Sequence, residues 1–471
     1  MYFSKSYNRK ALVLFTSVLM LFLTSCVTYN QRISDYYHSL SRKDYSSAEK
    51  ALQKNKLLKR KRNQLLYNLE MGKLAHIKGD YQESNRLLNE ADLFMEDART
   101  SLNDVAVSNL INPMMAAYKG EDFEKFMVHY YKALNYLYLG DIEAAVVEAR
   151  RISLKSFELQ DNNKENKYND DAFSLMLQGM LYEVAGDWNN AFISYRNAAD
   201  IYLKNNLQYY GVPMPEQLKQ DLLHMAYVNG FTDLLQFYEK QLQTSYNKKE
   251  ISEGGELILF WENGLAPVKT EQNFFFSLTN AGGQFMFTDI SGTINIPFYS
   301  TSAFNPDADA MKHMHSFRIA FPKYMVQEPF YKDGYAELAG EIFSFELAED
   351  LNTIAVSTLK ERFLKEAGKA LSRQAVKKLI EYSLRPSEDD KNKNEKNALA
   401  TTMQLYSLFS EKADTRNWQS LPQHIFYTRI PLLKGENKIS VNLTGMNKRN
   451  IELLVPGNGA VQIRNISTLT N

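Results

Sequence analysis

Between Glu121 and Arg151 apolar residues recur at three- and four-residue steps. Phe123, Phe126, Met127, Tyr130, Leu134 and Leu137 fall on one face of a helix. A second amphipathic stretch follows Leu139-Gly140-Asp141. Gly140 suits the left-handed residue that ends a helix, and Asp141 suits the cap of the next. Ala133 and Ala145 are small where two antiparallel helices would cross closely. The pattern predicts a helical hairpin, and it recurs. In residues 171–203, Gly179, Tyr182, Gly186, Asp187, Trp188, Ala191, Tyr195 and Ala198 keep the arrangement. In residues 68–92, Gly72, Gly79, Asp80, Tyr81, Ser84, Leu88 and Ala91 keep it again. Asp44-Tyr45 with Ala48 reads as a worn first copy, and a pair Pro215–Val228 and Phe231–Leu242, turning at Asn229-Gly230, caps the series.

Each unit resembles a tetratricopeptide repeat, whose regular period is about 34 residues and which buries its apolar face only by stacking on neighbours. The intervals lengthen where a degenerate pair containing Asn103–Leu110, broken at Asn112-Pro113, and the polar loop Gln160–Asp171 intervene. The resemblance predicts an all-α solenoid over residues 26–247, of about five helix pairs. Its concave side would be lined by the first helix of each pair. Asn68, Lys73, His76, His129, Lys132, Asn135, Gln178 and Glu183 are the candidate groove residues for a protein partner.

After Asn247-Lys248-Lys249 the period changes from helical to alternating. Glu256–Glu262 is rich in strand formers and precedes an expected turn at Asn263-Gly264. Further strands are expected at Asn273–Leu278, Gln284–Phe287, Ser316–Phe321, Ala336–Leu347, His424–Pro431, Lys438–Leu443, Ile451–Val455 and Val461–Ile466. A helical insertion over about 351–412 interrupts them, with helices Leu351–Leu384 and Ala398–Lys412 around the charged linker Arg385–Asn397. The fold class predicted is α+β in two domains. The second, residues 253–471, is β-rich and sandwich- or barrel-like. The first insertion helix sets Lys360, Arg362, Lys365, Lys369, Arg373, Lys377 and Lys378 opposite Leu359, Phe363, Ala367, Leu371 and Val376. That stripe suits packing on the adjacent sheet, and a basic amphipathic helix also suits an anionic membrane surface.

The 471 residues exceed what one core usually holds, which agrees with two domains. Basic and acidic residues balance at 55 each, so there is no electrostatic footprint for nucleic acid. The 29 Tyr and 27 Phe suit helix-repeat packing. The amino terminus changes the picture more. Lys5, Arg9 and Lys10 precede the mostly apolar run Ala11–Leu23, shorter than the roughly 20 residues that span a bilayer. It ends in Leu23-Thr24-Ser25-Cys26, which resembles the lipobox of bacterial lipoproteins. The resemblance implies a signal peptide over residues 1–25 and lipidation of Cys26, the sole cysteine, so no internal disulfide forms. Several acyl chains anchor firmly, at about 0.8 kcal/mol per buried CH₂. Val27, in place of an aspartate, resembles the outer-membrane sorting pattern, and the expected location is the periplasmic face of that membrane.

Two segments, Glu262–Lys269 and Ala413–Pro422, resemble the signatures of a family of bacterial envelope lipoproteins that join tetratricopeptide-like helices to a β-rich carboxy-terminal domain. The family's helical half has a segment similar to His129–Arg151. The resemblance carries over no catalytic residue. Some members are encoded near lipoprotein activators of peptidoglycan synthases, which implies a cell-envelope role. Asp414 and Arg416 are spaced to pair across a turn with Trp418 beneath. The sequence has no Gly-x-Ser-x-Gly elbow, phosphate-cradling loop or His-Glu-x-x-His helix. With Cys26 given to lipid, thiol catalysis and cysteine-type zinc sites drop out. His313 and His315, two apart, would share a strand face and are the one candidate metal pair, with Asp307 or Asp309. The expectation is therefore a non-enzymatic, lipid-anchored scaffold that binds protein partners and needs no cofactor. The alternatives are an envelope hydrolase or glycan-binding protein with its site in the second domain, and a subunit of an outer-membrane pore or secretion machine.

Overall fold

Each turn of the helical half is built from the same few atoms. Gly79, Gly140 and Gly186 hold φ of +80°, +77° and +73°. Their N–H groups, and those of the aspartates that follow, close back on carbonyls of the preceding helix. The carboxylates of Asp80, Asp141 and Asp187 then accept the N–H of Glu83, Ala144 and Asn190, at 3.1, 2.9 and 3.1 Å. One motif ends a helix and starts the next. In the worn first copy Lys43 takes the glycine's place at φ +58°, and Asp44 still caps Ser47.

The computed structural model describes residues 29–100, 113–162, 170–248, 252–281, 284–298, 316–383, 401 and 411–469. Cys26, the predicted pair around Asn103–Leu110, His313 with His315, and most of the predicted helix Ala398–Lys412 lie outside the described residues. The first half comprises α1 (Tyr29–Ser41), α2 (Tyr45–Lys54), α3 (Gln64–Ile77), α4 (Tyr81–Thr100), α5 (Asp122–Tyr138), α6 (Ile142–Asn162), α7 (Ala172–Val184), α8 (Trp188–Lys204), α9 (Glu216–Val228) and α10 (Thr232–Leu242). Helices pack chiefly on their neighbours in sequence. Close crossing needs the small residues. A methyl on Gly179 would meet the Tyr195 ring at 2.7 Å, and one on Gly72 would meet Leu88 at 2.9 Å. Ala48, Ala91, Ala133, Ala145 and Ala191 are fully buried. A two-stranded ribbon, β1 (Gln208–Tyr209) and β2 (Val212–Pro213), joins α8 to α9.

The chain as a whole is α+β. In its second half, β10 (Glu346–Asp350), β11 (Pro422–Pro431), β3 (Glu256–Leu265) and β14 (Val461–Thr468) form one sheet in that order. A second sheet runs β13 (Lys448–Gly457), β12 (Gly435–Gly445), β8 (Tyr331–Leu338), β9 (Glu341–Ser344). Strand β3 is the pivot of the molecule. Leu257, Leu259 and Trp261 enter a core shared with the second sheet, whose side supplies Ala336, Ile439, Val441 and Leu443. The intervening Ile258 and Phe260 enter the core of the helical half. Burial on both faces explains a strand of almost continuous apolar residues.

A third sheet, β6 (Asn295–Pro297), β5 (Gln284–Asp289), β4 (Val268–Ala281), β7 (Phe317–Met325), packs Phe276, Phe287, Phe317 and Ile319 on Ala367, Ala370, Leu371 and Ala375 of α11 (Leu351–Ser383). The apolar stripe of that helix thus lies on a sheet. Two strand expectations change. Asn263-Gly264 is not a hairpin turn: Gly264 takes φ +68° within β3, which continues so that Leu265 pairs with Pro422. Ala336–Leu347 is three strands, because Ala339 and Gly340, both at positive φ, fold the chain back into β9.

A buried polar seam as the candidate functional site

The eight residues expected to line an open groove are all interior, none more than 6% exposed. The physical reason is that the inner helices are covered. Strands β3, β11 and β14 and the segment 411–421 lie against α3, α5, α7 and α9 and take up Lys73, His76 and Glu183, while neighbouring helices take up the others.

Glu262 is the centre. It is fully buried and receives four donors: Lys73 Nζ at 2.6 Å, Ser467 Oγ at 2.6 Å, Asn465 Nδ2 at 2.7 Å and Tyr130 OH at 3.2 Å. Burial opposes its charge, but the Lys73 ammonium holds its carboxyl below the usual range. Lys73 also donates to Tyr131 OH at 2.6 Å and lies 3.8 Å from that ring's centre. His76 sits between Asn135 Oδ1 at 2.6 Å and Asn465 Nδ2 at 3.2 Å, which fixes a neutral ring with its proton on Nδ1. Burial, then Lys73, pushes its pKa down to about 4.

Glu183 belongs to a second node. Arg429 on β11 reaches it at 2.8 and 3.0 Å, together with Asp221 at 3.0 Å and Glu256 at 2.5 Å. His129 and Lys132 form a third, wholly among helices: Lys132 lies 3.2 Å from Asp92 and 3.0 Å from Glu148, and His129 Nδ1 lies 2.7 Å from Glu148. Asn68 donates to Glu90 and Gln178 to Ser153.

The segments Glu262–Lys269 and Ala413–Pro422 meet here. Asn417 donates to the Pro267 carbonyl at 2.9 Å, and Ala266 N–H donates to the Leu421 carbonyl at 2.8 Å. Residues 411–421 have no regular secondary structure, so side chains must take their backbone groups. Glu124 on α5 accepts the N–H of Trp418 at 2.7 Å, and Glu70 on α3 accepts that of Gln419 at 3.1 Å. Trp418 is fully buried, its ring centre 5.9 Å from that of Tyr131. Arg416 pairs with Asp414 at 2.6 Å, as its spacing predicts, and also donates to Asn63 at 2.7 Å and the Ala116 carbonyl at 3.1 Å. Nearby, Glu121 joins Lys269 and Arg362 of α11. Burial would raise the Glu121 carboxyl, and those two cations hold it well below the usual range.

Burial pushes Glu70 up to about 7, and burial together with Glu121 does the same to Glu124. The sign follows. Between the unfolded value near 4.5 and the folded value near 7, the unfolded chain has lost a proton that the folded chain keeps. Stability from this term is therefore full below pH ~4.5 and declines as pH rises to ~7, by at most about 1.4 kcal/mol per unit. His76 acts oppositely between about 4 and 6.5 but cancels between two proteins that both carry it. A Glu70→Gln protein should therefore gain on the parent as pH is raised from 5 to 8, read by urea midpoints at each pH. A difference independent of pH would contradict this assignment.

The sequence reading missed Glu70, Glu124 and Arg429. The available signal was α3 itself, whose Leu65, Leu66, Tyr67, Leu69, Met71, Leu74 and Ile77 spread over most of its circumference, too much for a helix with a broad solvated face. A cleft of about 510 Å³ opens beside Asn30, Ser34, His38, Val268, Gln327 and Gln419, and none of the seam's carboxylates lines it. Among the described residues no group of three or more His, Cys, Asp or Glu is placed to hold a metal ion. Nor is any described helix long and apolar enough to cross a membrane. No family model matches the chain, and no curated protein does. Among solved structures, the apo form of RapI is similar over 46% of this chain and 69% of its own, with 15% identity and a TM-score of 0.32. A score that low carries no argument about function.

Proposed function

We propose that the chain is a lipid-anchored scaffold of the bacterial cell envelope, held through Cys26 at the periplasmic face of the outer membrane and binding protein partners. In this reading the helical half is a tetratricopeptide-like stack, which the repeated Gly-Asp turns and the small residues at helix crossings support. One observation carries the proposal. The convergent ionisable side chains, Glu262, Lys73, Arg429, Glu183, Glu70 and Glu124, are engaged in joining the two halves, and none lines the cleft beside Asn30. Such an arrangement makes a stiff body out of two modules. Because the inner helices are covered, partners dock on outer surfaces, where Leu154 of α6 and Phe237 of α10 are 61% and 50% exposed.

A photo-crosslinking residue at 154 or 237, activated in living cells, should capture a discrete envelope protein. Cys26→Ser should move the chain from the membrane to the soluble periplasmic fraction. Capture of bulk proteins alone, or a chain that stays in the membrane without Cys26, would count against the scaffold and the anchor respectively.

A further inference from the structure

We infer that the tip formed by Met325 and Val326 is a membrane-contact element that dips into the interfacial layer of the lipid bilayer carrying the anchor. The inference rests on the lipid-anchor reading of Cys26 and adds to it a second point of attachment.

The geometry starts at α1. Its Asn30 side chain donates to the Lys269 carbonyl at 2.7 Å, which fixes the helix start on the first residues of β4. Strand β7 runs beside them, with Lys269 opposite Tyr324 and Val268 opposite Met325. Adjacent strands lie about 4.8 Å apart, so the end of β7 is one strand away from the start of α1. The cleft lined by Asn30, Ser34, Val268 and Gln327 confirms that these parts share one surface. Cys26 precedes Asn30 by only four residues, a reach of roughly 14 Å when fully extended. Acyl chains on that residue would therefore hold this end of the molecule close to the bilayer.

At that same end two adjacent apolar side chains point outward. Met325 is 56% exposed and Val326 is 52% exposed, whereas Tyr324 just before them is buried. Water is a poor surrounding for both, and the interfacial layer is a better one. Lys323, Glu328 and Lys332 nearby are charged and exposed, which places the pair at the depth of the headgroups and not in the hydrocarbon. Single exposed apolar residues are ordinary, and others occur on this chain, such as Leu454 at 65%. The pair at 325–326 differs by its position at the anchored end. Several acyl chains already anchor firmly but leave the body free to swing about its tether, so a second apolar contact chiefly fixes orientation.

The test uses the fact that Cys26 is the sole cysteine and is consumed by lipid in this reading. Met325→Cys and, as a control on β13, Leu454→Cys each supply one free thiol for an environment-sensitive fluorophore. The lipidated proteins are reconstituted into phosphatidylethanolamine–phosphatidylglycerol vesicles. The probe at 325 should emit to the blue of the probe at 454 and be quenched by iodide roughly threefold less, as expected for burial at the headgroup boundary. Equal, water-like emission from both probes on vesicle-bound protein overturns the inference and leaves the anchor standing. Protein that never floats with vesicles overturns the anchor and the inference with it. Blue emission that persists without vesicles, in a Cys26→Ser background, marks a protein contact and overturns the membrane assignment.

Discussion

Lys73→Met is expected to be among the most damaging single substitutions in the chain, costing about 3–5 kcal/mol. Lys73 and Glu262 are both fully buried and 2.6 Å apart. Removing the cation leaves a carboxylate in a region with no water to replace it, while the methionine preserves most of the volume. Tyr130, Asn465 and Ser467 would still donate to Glu262, so hydrogen bonding survives and the charge is what loses its partner. The measurement is a urea or thermal midpoint. Adding Glu262→Gln to Lys73→Met should restore part of the loss, because the buried charge is then gone. A single-mutant loss below about 1 kcal/mol would mean that the pair is hydrated and the seam looser than described.

Trp418→Ala should cost a similar amount, about 3–5 kcal/mol, for a different reason. The indole is fully buried, donates to Ser420 at 3.0 Å and stands against Tyr131 of α5. Its removal opens a cavity in the only segment of the seam that has no ladder of its own. Limited proteolysis should therefore cut within residues 411–421 at denaturant concentrations where the helices and sheets still resist. Protection equal to the parent's would show that this segment is held by its backbone contacts to Glu70 and Glu124 alone.

Much of the fold was legible because its signals are local. A glycine at positive φ followed by a capping aspartate needs only neighbouring atoms, and Gly79, Gly140 and Gly186 all behave as such a pattern predicts. The helix expected over Leu351–Leu384 ends at Ser383, and the four strands expected in the last fifth of the chain are all found, each longer than expected. The failures are where distant parts of the chain meet. Asn263-Gly264 has the composition of a turn, but pairing with β11 and β14 keeps β3 extended through it. Polar residues on α3, α5 and α7 read as a solvated groove because a sequence does not reveal that β3, β11 and β14 take up Lys73, His76 and Glu183, or that neighbouring helices take up His129, Lys132, Asn68 and Gln178. His76 and Asn465 make the point: they touch, yet 389 positions separate them. Arg429 was overlooked for the same reason, since its partners Glu183 and Asp221 belong to helices far upstream.

The placement of β14 has a consequence for biosynthesis. A ribosome delivers the paired helices early, and each pair can form from contacts close in sequence. The strand that supplies Asn465 and Ser467 to Glu262, and Thr468 to Trp261, arrives after every one of these helices. Until it does, Glu262 lacks two of its four donors and His76 Nε2 lacks Asn465. A product that stops before Val461 would carry every helix yet leave this seam open, a ready substrate for quality-control proteases.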